Sequence, residues 1–179
     1  NPPYNLKEFW KPSLEGDPRW VFGKPDTKNG NYAWLSLMYA KLAPKGKAAI
    51  LMPNGATTSN TNDDYKIRKE MIESGKVEAI LALPNKLFSN VTISVQCWIL
   101  NKAKTTNDVL FINADNMGKL ISRKIRILEE NDIKKLQEED MLPAIVFKLS
   151  QKGCEEAAMS LYDSETEYEF CRALIERNL

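Results

Sequence analysis

NYAWLSLMYAKLAPKGKAAILMPNG, residues 31–55, reads as a helix, a stop, a strand and a turn in direct succession. Trp34, Leu37, Met38 and Leu42 recur at the spacing of one helical face, and Asn31 stands where an N-cap belongs. Pro44-Lys45-Gly46 ends that helix. Lys47-Ala-Ala-Ile-Leu-Met52 is then a short unbroken apolar run, the pattern of a strand covered on both faces. Pro53-Asn54-Gly55 stops it. This succession predicts an α/β fold with a helix-covered sheet.

Downstream, the polar residues 56–62 lead to a second helix expected around 64–74. Ile67, Met71 and Ile72 form its inner face, and Gly75 falls at C′. Strands are expected at 77–83, closed by Pro84, at 94–100 (SVQCWIL) and at 109–112. The 101–108 connection is short enough to join antiparallel neighbours. The order predicts a parallel α/β unit finishing in an antiparallel edge. Beyond residue 118 the chain becomes charged, with helices expected at 132–139, 155–161 and 165–178.

Upstream, residues 11–30 (KPSLEGDPRWVFGKPDTKNG) form a long aperiodic loop that carries Trp20 and Phe22. Such a loop is either a functional lid or a floppy insertion, and Trp20 makes it a candidate for contact with a substrate. Ahead of it lies Asn1-Pro2-Pro3-Tyr4. The Asn1 side-chain oxygen and the Pro2 carbonyl are two acceptors for one exocyclic amino group, since proline brings no competing N–H. Tyr4 offers a face on which a flipped base can stack. Two acceptors on one NH2 bias its nitrogen toward a tetrahedral, nucleophilic geometry, which is catalysis by positioning. A Pro-Pro turn of this kind is expected to close a buried strand, so the chain reads as a piece of a longer protein that starts at the edge of an active site. The bland alternative is a disordered tail.

Composition narrows the chemistry. The 179 residues are 43% hydrophobic and contain no histidine, which removes Ser-His-Asp and Cys-His machinery and every His-ligated metal site from this segment. Cys97, Cys154 and Cys171 are odd in number and widely spaced, which suggests reduced, mostly buried thiols and a cytoplasmic setting; no metal is expected. No apolar stretch approaches the length of a membrane span, and no membrane partner is expected. A net charge of +1 is not that of a chain gripping nucleic acid unaided, so a polynucleotide substrate would require help.

Ligands of an open α/β sheet bind at the carboxyl ends of its strands. Three places qualify: the Asn1–Tyr4 turn, the Pro53-Asn54-Gly55 turn and the Pro84–Phe88 loop. Asn54 could line a pocket or sit in an ordinary turn. Phe88 could stack on the second face of a base or plug the core. The run Lys119, Arg123, Lys124, Arg126 could meet phosphate, although such runs are usually solvated faces.

Taken together, NPPY, GDPRWVFG, NYAWLSLMYAKLAPKGKAAILMPNG, IRKEMIESGKVEAILALPNKLF and WILNK resemble the catalytic domain of the modification subunit of type I restriction systems, which are N6-adenine DNA methyltransferases. The resemblance spans roughly residues 1–118. It implies the C-terminal half of a Rossmann-like S-adenosylmethionine-dependent methyltransferase sheet with an antiparallel edge. Beyond residue 118 the resemblance fades; residues 119–179 read as a small, charged, mainly helical extension, with no role assigned to 141–179. The resemblance also implies that Asn1, Pro2, Pro3 and Tyr4 are catalytic and hold the adenine amino group. Phe88 matches the place of a second stacking aromatic in related enzymes; Asn54 and Trp20 stand as further substrate-binding candidates. The cofactor's Gly-rich motif precedes NPPY in this family and is missing here, so its binding residues remain unassigned and the fragment alone is expected to be inactive. DNA, a specificity subunit and a restriction subunit are the implied partners. The fragment is also expected to self-associate through an open apolar strand edge. Two other readings stay open: an amino-methyltransferase acting on RNA or protein glutamine, and a non-catalytic assembly module.

Overall fold

The computed structural model describes residues 2–88 and 93–138. Two compact units divide the chain, residues 1–129 and 130–179. The first holds α1 (Asn31–Lys41), β1 (Lys47–Pro53), α2 (Asn62–Glu73), β2 (Val77–Leu83), β3 (Val95–Asn101), β4 (Leu110–Asn113), β5 (Lys119–Leu120) and β6 (Arg126–Ile127). Of the second, α3 (Glu130–Glu138) is described. It is the helix expected at 132–139, and the helices expected at 155–161 and 165–178 lie outside the described residues.

The main sheet runs β1-β3-β2-β4. β3 is antiparallel to both β1 and β2, whereas β4 is parallel to β2. The mixed α/β class stands, but the antiparallel strand lies inside the sheet instead of at its edge. β4 also does not neighbour β3, as the short 101–108 connection suggested; it crosses to the far side of β2. The reason lies in burial. β3 is buried along Val95–Leu100, so it takes a place with a partner on either side, while Leu110 and Phe111 of β4 are exposed and suit an end position.

One face of the sheet carries Trp98 and Leu100 of β3, with Ile50 and Met52 of β1 and Ile80 of β2. Tyr32 and Leu35 of α1 and Ile67 and Met71 of α2 complete this core. Trp98 meets Tyr32 edge-on, at 6.2 Å between ring centres. A register shift between Val77 and Ala79 brings Val77 into the same cluster. Cys97 and Ile99 occupy the opposite face of β3 and are also buried, which is why the strand reads as a continuous apolar run. Burial pushes the Cys97 thiol up to about 12, so it is unreactive near neutrality.

α2 is punctuated as its sequence requires. The Thr61 side chain accepts from the Asp64 N–H at its start. At its end Gly75, with φ +70°, donates to Ile72 O while Lys76 N–H reaches Met71 O, the paired bonds of a Schellman cap. A Cβ at Gly75 would collide with the Thr106 carbonyl, so glycine is required twice over.

α1 departs from its expected pattern. Asn31 is the first helical residue and not the N-cap, a position taken by Gly30 without a side-chain bond. Its core residues are Tyr32 and Leu35, while Trp34 and Leu37 are only half-buried. The helix is apolar nearly all round because two things cover it. Trp34 and Leu37 face Phe9 and Trp20 of the preceding loop across a small cavity of about 160 Å³. That loop is packed, not floppy. Trp20 donates through Nε1 to Leu14 O at 2.8 Å and stacks near Trp10, and Phe22 is buried against Tyr39 at 4.6 Å. Arg19 forks onto Asp17 and holds its carboxyl down at about 2.

Residues 119–127, expected as part of a helical extension, form the β5–β6 hairpin; helix begins only at Glu130. Its charged side chains hide a strand pair too short to show alternation.

Candidate functional site

A polar cavity of about 540 Å³ opens at the carboxyl end of β1, where an α/β sheet presents its ligand sites. Pro53, Asn54 and Gly55 form one wall. Asn5, Asn29 and Asn31, at the two ends of the upstream loop, form another. Ser59 and Asp64, leading into α2, and Ser94, entering β3, complete the rim.

The Asn wall is built around one strained residue. Asn5 has φ +52°, a region asparagine tolerates better than other side chains, at a cost of order 1 kcal/mol. It is fixed there by an exchange of bonds with Asn31. The Asn5 N–H donates to Asn31 Oδ1 at 2.9 Å, and Asn31 Nδ2 donates to Asn5 Oδ1 at 3.0 Å. Asn29 supports both, accepting from the Asn31 N–H and donating to Asn5 Oδ1. Gly30 N–H reaches Leu6 O at 2.9 Å, and Trp34 Nε1 donates to the Pro3 carbonyl at 3.2 Å. The turn after the prolines is thereby tied to the start of α1 over some twenty-five residues of intervening loop.

The opposite wall is rooted in the sheet. Gln96 Nε2 donates to Asn54 Oδ1 at 2.8 Å and to Thr57 Oγ1, and Gln96 Oε1 accepts from Trp98 Nε1 at 3.3 Å. With its oxygen so engaged, Asn54 keeps its amino group to offer. Arg68 Nη1 reaches Tyr32 Oη and the carbonyls of Ala56 and Ser59, and Tyr32 Oη donates to Ala56 O at 2.6 Å. One guanidinium nitrogen thus holds the 56–59 backbone.

Asp64 is 4% exposed and lines the cavity. Its Oδ2 accepts from Ser59 Oγ at 2.6 Å, while Oδ1 has no hydrogen-bond partner. Burial raises its pKa above the usual carboxylate value, against the lowering effect of the Ser59 and Thr61 bonds. Among the described residues, no lysine or arginine lines the cavity. Amides, hydroxyls and one buried carboxyl suit a hydrogen-bonding heterocycle better than a phosphate.

Asn1 lies outside the described residues. Tyr4 is half-buried, and its phenol is pushed up by burial and by the proximity of Cys97. Of the other expected site residues, the structure brings Asn54 to the cavity beside Asn5, the residue that follows the tetrapeptide. Trp20 lines the small aromatic cavity on α1 instead, and Phe88 is half-buried and lines neither cavity. The loop before Phe88 serves the hairpin, with Lys86 O accepting from Arg126 N–H at 2.8 Å. Arg126 itself caps Met117 O and Gly118 O, which gives that member of the basic run a structural task. Among the described residues, no cluster of His, Cys, Asp or Glu could hold a metal ion.

Asn5, Asn29, Ser59, Asp64 and Gln96 escaped the sequence reading as site residues. Signals existed for two. Asp64 precedes Ile67 and Met71 at helical spacing, so it shares their inward face. Gln96 interrupts an otherwise apolar strand, and a buried amide needs partners.

The family model for N-6 DNA methylases matches residues 1–158. The type I restriction enzyme HindI methylase subunit of Haemophilus influenzae is 43% identical over 137 residues, covering 76% of this chain and 31% of the relative. The MjaIX methylase subunit of Methanocaldococcus jannaschii is 41% identical over 145 residues, covering 76% and 26%. The chain thus spans less than a third of the length of these curated relatives. Among solved structures, the type I restriction-modification system methyltransferase subunit from Streptococcus thermophilus superposes with a TM-score of 0.70 at 30% identity, over 77% of this chain and 30% of that one. A modification subunit of a type I restriction enzyme from Vibrio vulnificus shares the fold, with a TM-score of 0.61 at 19% identity. The chain belongs to the N-6 DNA methylase family.

Proposed function

We propose that this chain is the base-handling part of a DNA adenine-N6 methyltransferase, the modification subunit of a type I restriction-modification system. The observation that carries the reading is the family match, which begins on Asn1-Pro2-Pro3-Tyr4 and runs through the turns that rim the polar cavity. In this reading the Asn1 side-chain oxygen and the Pro2 carbonyl accept the two N6 hydrogens of a flipped adenine. The Pro3 carbonyl is engaged by Trp34, which leaves the one before it for the amino group. Tyr4 stacks on the base and Asn54 lies at the cavity rim. Holding both hydrogens turns the nitrogen lone pair out of conjugation with the ring and toward the methyl donor.

S-adenosylmethionine, when bound, supplies the electrophilic methyl. The cavity's one carboxyl, Asp64, is almost wholly buried and one of its oxygens is taken by Ser59, so the lining offers little to the ribose hydroxyls and ammonium group of that cofactor. The cavity is therefore assigned to the base, and no residue here to the cofactor. A near-neutral net charge of +1 agrees with DNA recognition delegated to a specificity subunit, with a restriction subunit as a further partner. Expressed alone, the chain is expected to self-associate through β1, which ends the main sheet, and light scattering would register the larger species.

The full-length protein, mixed with a specificity subunit and labelled methyl donor, should modify duplex DNA and yield N6-methyladenine on digestion. Label appearing instead in RNA or in glutamine side chains would reject the substrate assignment. Label appearing nowhere would favour a scaffold role.

A further inference from the structure

The tetrapeptide turn is held from the outside, by residues that line up on one face of α1. Asn31 and Trp34 are three positions apart and so project from the same side of the helix. Trp34 Nε1 takes the Pro3 carbonyl, and Asn31 Oδ1 takes the Asn5 N–H. These two backbone groups flank Tyr4, so the peptide carrying that ring is fixed both before and after it.

Neither residue is needed where it stands for the main core. Trp34 is half-buried and turned away from the Tyr32–Leu35 core side of α1. Asn31 is a buried amide that contributes no apolar surface, and both ends of its side chain are spent on Asn5. A helix start could be closed more simply by a serine or aspartate cap. What this arrangement uniquely supplies is a fixed path for residues 3–5.

We infer that Asn31 and Trp34 are positioning residues for methyl transfer, holding the Pro2–Tyr4 segment in the geometry that presents the adenine amino group. The inference rests on the functional reading above and adds two residues to it. Trp34 lines no part of the polar cavity, and Asn31, though in its wall, has both ends of its amide engaged by Asn5; both act through the backbone they hold. A displacement of about 1 Å in such a segment lowers turnover by roughly 100-fold while leaving the binding surface largely in place.

The test compares three substitutions in the full-length protein with its specificity subunit. Trp34→Phe keeps the aromatic bulk and removes the N–H donor. Asn31→Ala removes both bonds to Asn5, whereas Asn31→Asp retains an acceptor for the Asn5 N–H. Met38→Ala, at a half-buried site packed on the core away from the turn, serves as the stability control. Steady-state methylation and thermal melting are measured on each. Trp34→Phe and Asn31→Ala are expected to lose about 10- to 100-fold in kcat, with KM for DNA and for S-adenosylmethionine changed less than about twofold. Asn31→Asp should recover part of the loss, and Met38→Ala should lower the melting temperature with kcat retained. Unchanged kcat in Trp34→Phe and Asn31→Ala overturns the inference. So does a loss that tracks melting temperature along one line with Met38→Ala. If the unsubstituted protein methylates no adenine, the functional reading falls and this inference with it; if it does and the variants match it, this inference falls alone.

Discussion

Two proline-ended turns rim the same cavity, and they are anchored in opposite ways. The turn through Pro3–Asn5 is tied to side chains on the first helical turn of α1, at the margin of the fold. The turn through Pro53–Gly55 is tied by Gln96 to an indole that is wholly buried in the sheet. The first can be altered at little cost to the core. The second is coupled through Gln96 to a donor buried in the sheet. A site made of one adjustable wall and one core-rooted wall can hold a substrate group in place while its partner wall keeps the scaffold rigid.

The largest effect that bears on this contrast lies under the rooted wall. Trp98→Ala removes a fully buried ring that contacts Tyr32, and should cost about 3–5 kcal/mol in chemical denaturation. Next, Gln96→Ala leaves Trp98 Nε1 without its acceptor and should cost about 1–3 kcal/mol. A loss below about 0.5 kcal/mol would break the contrast, because the second turn would then not depend on the core. At the adjustable wall, Asn5→Ala places a side chain poorly suited to φ +52° and should be about 1 kcal/mol less stable than Asn5→Gly, which keeps that conformation open. Equal melting of the two would show that the positive φ is not what the Asn31 exchange supports.

The smallest effect concerns Asp64 and sharpens the electrostatic side. Burial raises its folded-state pKa above the unfolded value near 3.8. The folded protein therefore holds this proton more tightly than the unfolded chain does. The stabilisation is complete below that unfolded value and is lost as pH rises through the higher folded one. Asp64→Asn cannot titrate, so its stability should decline less than that of the unsubstituted protein across this interval. Denaturation curves recorded at stepped pH would show the two diverging there, and parallel curves would mean the carboxyl is not desolvated.

Much of the scaffold was legible because its strands are buried on both faces. Val77–Leu83 was bounded in full by Gly75 and Pro84, and β1 differed only by the addition of Pro53. Strand order was less accessible. Val95–Leu100 looks the same in sequence whether it forms an interior or an edge strand beside helices, and only pairing on both sides distinguishes the two. The face of α1 was misjudged for a related reason: with the sheet on one side and the aromatic loop on the other, Trp34 and Leu35 are both apolar and periodicity cannot rank them. The cavity was legible only in part. Asn54 stood at a strand end, where the sheet rule points. Asn5 and Asn31 meet across a loop of irregular path, and no periodicity encodes that contact. Trp20 entered as part of a possible lid and Phe88 as an aromatic after a strand end; the packed loop holds Trp20 at the small aromatic cavity, and Phe88 is half-buried and lines neither cavity.

The most direct test of the central claim is single-turnover methylation of duplex DNA by the full-length protein carrying Asn1→Ala, with DNA binding measured in parallel. Loss of the amide acceptor should slow methyl transfer by at least about 100-fold while DNA affinity stays within a few-fold of the unsubstituted protein's. Transfer at an undiminished rate would contradict the account.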